Sequence, residues 1–205
     1  MAGGDGGIPG LHWESNHCPE TGDRGHALIT AHPWACELHF FSRDSYDHFV
    51  VHVGHSTRCT FLGAPDRLIV GDFVDCRLGS PTLHRALRLR FAPDPRRALH
   101  VGQGIAMRLR GLTNVTVRTE PTWFDSARED NRCDITNDQV RIPTDTPVSS
   151  FPALSVNDLP LPPHVLQILT QRRHEILRDG GPYDTAFDVA VAGGTSARDR
   201  RTATV

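Results

Sequence analysis

From about Gly25 to Phe124 the chain is written in short β-favouring runs separated by turn residues: "HALITAH", "HFVVHVG", "TRCTFLG", "RLIVGDFVDCRLG", "RALRLRFA", "ALHVGQG", "AMRLRGL" and "NVTVRTE". Several alternate strictly, as in Ala86-Leu87-Arg88-Leu89-Arg90-Phe91 and Val115-Thr116-Val117-Arg118, so that successive side chains face opposite ways. Many short strands at this spacing predict an all-β fold, an antiparallel sandwich or barrel. "GAPD" and "APDPRR" are turns, because proline presets one dihedral and aspartate bonds back to the backbone.

The flanks read differently. "MAGGDGGIPG" offers little to pack, and the first 21 residues are expected to form a flexible segment. After Phe124 the text is polar and proline-rich up to "LPLPPHV", an arm that wraps the barrel or a partner subunit. "PHVLQILTQRRHEILRD" then spaces Val165, Ile168, Leu169, Ile176 and Leu177 as one amphipathic helix, closed by Gly180 and Gly181. The expected division is a flexible segment 1–21, a barrel core 22–125, an arm with its helix 126–180, and a disordered tail 181–205.

Composition narrows the function classes. With a net charge of -2 over 205 residues there is no electrostatic footprint for nucleic acid or an anionic membrane. All 22 basic residues are arginine, which excludes Schiff-base chemistry and a lysine general base. The 5 cysteines include no CxxC, so neither a disulfide framework nor a cysteine zinc site is indicated. They read as reduced thiols of a cytoplasmic protein. No apolar run approaches the roughly 20 residues needed to span a bilayer, and the glycine-rich start has no signal-peptide character.

"VDCRLGSPT", residues 74–82, resembles the VDxRxxSPT strand and turn of the dTDP-4-dehydrorhamnose 3,5-epimerase family of cupin barrels. "DRG" at 23–25 resembles that family's early substrate-binding stretch, and "RRALHVGQGIAMRL" at 96–109 its L-x-I/V-P-x-G-x-A-H strand pair. The resemblance implies a cupin jelly-roll barrel, a homodimer, and a nucleotide-diphospho-sugar as ligand. Two departures matter. The wider superfamily places a metal-binding histidine where this chain has Met107, and a thioether is a poor ligand for the divalent metals such sites hold. No metal and no other cofactor is therefore expected. The family's catalytic tyrosine falls near Val117, which cannot transfer a proton.

The candidate site follows from both readings. In the family a histidine base precedes a basic residue by ten positions; His48 and Arg58 have that spacing, and His52 or His55 could serve instead. His48 and His52 share a strand face, while His55 points away unless Gly54 introduces a bulge. A metal there would need a carboxylate, with Asp47 or Asp72 as candidates; surface or core histidines are the alternative. Tyr46, which shares the face of His48, is the substitute acid. Arg58 and Arg77 are candidates to grip an anionic ligand, with Asp75 beside them; a structural ion pair of Asp75 with Arg77 is the alternative. Trp123 either finishes the core or stacks on a ring at the barrel mouth. Along "IAMRLRGL", Ile105, Met107 and Leu109 share the inner face and would line the pocket, leaving Arg108 and Arg110 outside.

Three readings of function remain open. The first is a metal-free isomerase or epimerase of bacterial specialised metabolism, working by acid–base chemistry beside a carbonyl. The second is a cyclase, lyase or hydratase that uses the same pocket on a more hydrophobic metabolite. The third is a non-catalytic ligand-binding barrel.

Overall fold

The computed structural model describes residues 7–16, 20–21, 24–25, 36–41, 48–124, 138–156, 159–162, 164–165, 167–168, 171 and 187–188. Its strands in chain order are β1 (Leu11–Ser15), β2 (Glu20–Thr21), β3 (Arg24–Gly25), β4 (Glu37–Phe40), β5 (His48–His52), β6 (His55–Leu62), β7 (Ile69–Asp75), β8 (Ala86–Phe91), β9 (Arg97–Val101), β10 (Ile105–Arg110), β11 (Thr116–Trp123), β12 (Gln139–Pro143) and β13 (Phe187–Asp188). A five-stranded sheet runs β1-β9-β6-β11-β4 and a six-stranded sheet runs β13-β12-β5-β10-β7-β8, with β2 and β3 as a separate pair. The all-β sandwich expected from the alternation is what forms. His164, Val165, Gln167, Ile168 and Gln171 are helical, and Ile168 is exposed rather than packed. Among the described residues no helix is long and apolar enough to cross a membrane.

Between the sheets lies a core of Cys59, Phe61, Ile69, Phe73, Phe91, Leu99, Ile105, Leu109 and Val117. Strict alternation supplies it, since each strand turns every second residue inward. Phe61 and Phe91 meet edge to face with centroids 4.9 Å apart. A second cluster covers the outer face of the six-stranded sheet, where Val148, Phe151 and Leu154 pack on Val51, Val74, Cys76, Ala106 and Ile142. Residues 148–154 thus cover part of the outer face, and burial raises the thiol pKa of Cys59 and of Cys76 to about 12.

Two boundaries move. Residues 7–16 are part of the fold: Ile8 sits in the inter-sheet core, Leu11 and Trp13 pack against it, and all of β1 pairs with β9. Alternation inside a glycine-rich text was enough to make a strand. Likewise β12 and β13 extend the six-stranded sheet beyond residue 125, with Phe187 paired to Val140.

Segment 74–82 owes its pattern to one carboxylate. Asp75 is fully buried and accepts from the Arg77 backbone N–H, from Arg77 Nε and Nη2 at 2.8 Å each, and from the hydroxyls of Ser80 and Thr82 at 2.6 Å each. Burial alone would raise its pKa, but these donors outweigh it and hold the carboxyl well below the usual range. Gly104 follows from the same packing. Its φ of +72° suits glycine, and a Cβ there would lie 2.6 Å from Arg77 Cγ.

Candidate functional site

The inward face is apolar over most of its area and turns polar at one end. Phe49 and Val51 belong to the outer cluster, so His48, Val50 and His52 on the same strand face inward. Val50 pairs with Met107 on one side and Arg141 on the other; Gln139 pairs with His52. From the opposite sheet, His55, Thr57, Thr119 and Trp123 share the inward parity of Cys59 and Val117. The His39 ring nitrogen lies 3.0 Å from Thr119 Oγ1.

At this end His52, His55 and Asp138 converge. β5 stops at His52, the chain crosses at Val53-Gly54, and β6 begins at His55 in the other sheet. A change of sheet, rather than a bulge, brings the two rings to a centroid distance of 4.0 Å. The Val53 backbone N–H donates to the Asp138 carbonyl at 2.9 Å. A Cβ on Gly54 would lie 3.0 Å from Asp138 Cβ, so the glycine leaves room for the approach. His55 Nδ1 hydrogen-bonds Asp138 Oδ2, and His52 Nδ1 lies 3.5 Å from Oδ1. The His55 ring packs on Trp123 with centroids 4.4 Å apart.

Burial lowers the His55 pKa, and the neighbouring His52 adds to this against the pull of Asp138. Burial alone would raise the pKa of Asp138, but the charges and hydrogen bonds of His55 and His52 hold it well below the carboxylate range. Burial thus favours the neutral His55 ring, whose Nδ1 is hydrogen-bonded to the Asp138 carboxylate. The His52 side chain is the more exposed of the two rings, 22% against 10% for His55.

The sequence candidates divide. His52 and Trp123 lie at this end. His48 shares the inner face but sits opposite Pro143, away from the carboxylate. Tyr46 and Asp47 lie outside the described residues. Asp72 is on the outer face, bonded to Arg88 and Arg110. Arg58 must be corrected: it points away from the inter-sheet space, and its three nitrogens bond Glu14, Glu120 and Asn16. Asp75 and Arg77 are spent on each other, which realises the structural ion pair instead of a ligand clamp. Ile105 and Leu109, at 2% and 1% exposure, are packed in the inter-sheet core. Met107, at 9%, packs in the same cluster and pairs with Val50. Asp138 and Arg141 were not anticipated from the sequence.

Among the described residues, two groups of side chains are close enough to hold a metal ion: His52, His55 and Asp138, and, on the outer face, His12, Glu14 and His100. In the first, two members already share a direct hydrogen bond.

No family model matches the chain, and no curated protein matches it in sequence. Solved structures do. A Mycobacterium tuberculosis rmlC epimerase superposes with a TM-score of 0.51 at 15% identity, covering 88% of this chain and 92% of that one. A dTDP sugar isomerase from Desulfovibrio desulfuricans G20 gives 0.50 at 13%, covering 69% and 88%. The chain has the barrel fold of the sugar-nucleotide epimerases. Val117, near which the sequence resemblance would put a catalytic tyrosine, is buried in the inter-sheet core.

Proposed function

We propose that this barrel is an isomerase that moves a proton at the carbon beside a carbonyl, without a metal, on a nucleotide sugar or a related metabolite. The observation that carries the reading is Asp138 held between His52 and His55. With Nδ1 turned to Asp138, the His52 Nε2 is the atom a substrate can reach. It takes the proton from the C–H bond, the bonding pair passes to the carbonyl oxygen, and the carboxylate steadies the imidazolium that forms. The enolate then recovers a proton on the same carbon from the imidazolium or from water. Arg141, paired with Val50 on the inner face, is the cation placed to steady the enolate oxygen. His55 fixes Asp138 from the other side and is a positioning residue.

A second reading keeps the same base but gives it a more hydrophobic substrate, for a cyclase, lyase or hydratase step. Val50, two residues before His52 on the same strand face, and Trp123, packed on the His55 ring, favour it as apolar neighbours, while Arg58 and Arg77 are engaged elsewhere.

Deuterium exchange in D2O tests the first reading, with a dTDP-linked 4-keto-6-deoxysugar followed by proton NMR. Wild type should wash deuterium into the position next to the carbonyl, and His52→Ala and Asp138→Asn should each slow this about 100-fold or more. Unchanged exchange in His52→Ala sinks the assignment of the base. No exchange in wild type, with thermal stabilisation by apolar ketones instead, moves the case to the second reading.

A further inference from the structure

We propose that His12, Glu14 and His100 form a divalent-cation site on the outer face of the β1–β9 ribbon, of the borderline kind that takes Zn2+ or Co2+. His12 and His100 stand directly opposite each other in the antiparallel pair, and their rings stack with centroids 4.8 Å apart. Glu14 follows His12 by two residues and so shares its face. Its Oε1 lies 3.2 Å from His12 Nε2 and 3.6 Å from His100 Nδ1. Two ligands on a tetrahedral Zn2+ with bonds of about 2.0–2.1 Å stand roughly 3.3 Å apart, a spacing these two distances bracket.

The carboxylate is oriented before any ion arrives. Its other oxygen, Oε2, accepts from Arg58 Nε at 2.8 Å, and Arg58 is anchored by Glu120 at 2.7 Å and by Asn16. Oε1 is therefore the atom left to face the imidazoles, the outer-shell fixation that metal ligands depend on. Glu120 also offsets the guanidinium charge that would otherwise oppose a cation. Two imidazoles and one carboxylate suit zinc and its neighbours, whereas calcium and magnesium prefer all-oxygen sets. Binding replaces the contact between His12 Nε2 and Glu14: the neutral His12 ring carries its proton on Nδ1 and turns the Nε2 lone pair to the ion. Because His12 is exposed, an ion enters without opening the fold and keeps a position for water. Once bound, it ties β1 to β9.

Titration of tag-free protein with Zn2+ and, separately, Co2+ tests this, followed by calorimetry and by the visible absorption of tetrahedral Co2+. We expect one equivalent whose affinity falls at least about tenfold in both His12→Ala and His100→Ala and is kept in His52→Ala. Zn2+ should raise the melting temperature of wild type and not that of His12→Ala; the exposed His12 can be changed without loss of fold. The proposal is overturned if neither ion binds, or if the bound equivalent survives both outer-face substitutions. Loss in His52→Ala alone would give the ion to the inner trio instead.

Discussion

Asp138 hydrogen-bonds His55 across 83 residues of sequence, and the other carboxylate oxygen lies 3.5 Å from His52. One anion thus links β12 to the crossing between β5 and β6, where the chain passes from one sheet to the other. A buried carboxylate is tolerable only with donors on it, and both of its neighbours are rings that carry protons. The same contact therefore ties this end of the barrel together and, in the proposed reaction, orients the imidazole that takes the proton.

The buried imidazole makes stability fall in mild acid. The folded-state pKa of His55 is lowered, so the unfolded chain, titrating near the usual value of about 6.5, takes up a proton that the folded one refuses. The stabilising difference is fully present above about 6.5 and shrinks as pH drops, by up to about 1.4 kcal/mol per unit, until the folded ring is itself protonated. Urea unfolding at pH 7.5, 6.5 and 5.5 should show this slope, and His55→Gln should flatten it. An equal slope in the variant would place the linkage elsewhere.

Asp75 is the most expensive side chain to remove. Asp75→Ala strands the Arg77 guanidinium and two hydroxyls in a buried site, and breaking a buried pair from one side costs about 3–5 kcal/mol. The folded pKa of Asp75 is depressed, so its contribution is present above the unfolded value near 3.9 and is lost as pH falls towards the folded one. The gap in melting temperature between wild type and variant should be large at pH 7 and narrower at pH 3. A gap that stays constant contradicts the ionised hub.

The barrel was legible because alternation is local: Ile105, Met107 and Leu109 against Arg108 and Arg110 sort themselves within six residues. What alternation cannot say is which side is inward when both are covered, and β6 is such a strand. Ser56 and Thr60 are buried on the face away from the core, and Arg58 finds its carboxylates there. Asp138 escaped notice because its partners are remote in sequence and its own surroundings are polar text. Residues 74–82 were legible as a pattern, but not that Arg77, Ser80 and Thr82 all donate to the Asp75 carboxylate.

The amino-terminal residues should resist trimming past Gly7. Ile8 is core, and the Gly102 backbone N–H donates to the Gly10 carbonyl at 2.9 Å. Removing residues 1–6 should leave the melting temperature unchanged, whereas Ile8→Ala should cost about 2–5 kcal/mol. Differential scanning calorimetry of the two proteins decides it. Equal melting temperatures would mean that the segment does not pack.

Cysteine reactivity should follow burial. Cys59 and Cys76, with thiol pKa values near 12, hold almost no thiolate at pH 8, whereas Cys36 is exposed. Native protein treated with iodoacetamide and mapped by peptide mass should carry the label at Cys36 and lack it at Cys59 and Cys76 until denaturant is added. Native labelling of Cys76 would mean that the 148–154 segment lifts from the outer face.

Met107 carries the sharpest test of where the core ends. It contacts the apolar cluster with Ile105 and Leu109, yet its cross-strand partner is Val50, on the face that also bears His48 and His52. A side chain of similar volume should be accepted, so Met107→Leu should cost less than about 1.5 kcal/mol. Truncation to alanine should cost about 2–5 kcal/mol if the position is packed all round, and less if a ligand-sized space adjoins it. Met107→His places an unpartnered polar ring against Ile105 and Leu109 and should cost about 1–3 kcal/mol. Urea unfolding of the three variants separates the cases. A cost for Met107→Ala below about 1 kcal/mol, with the histidine variant near wild type, would show that the side chain borders open space and belongs to the pocket wall. The full cost would show that the polar end begins only at His52.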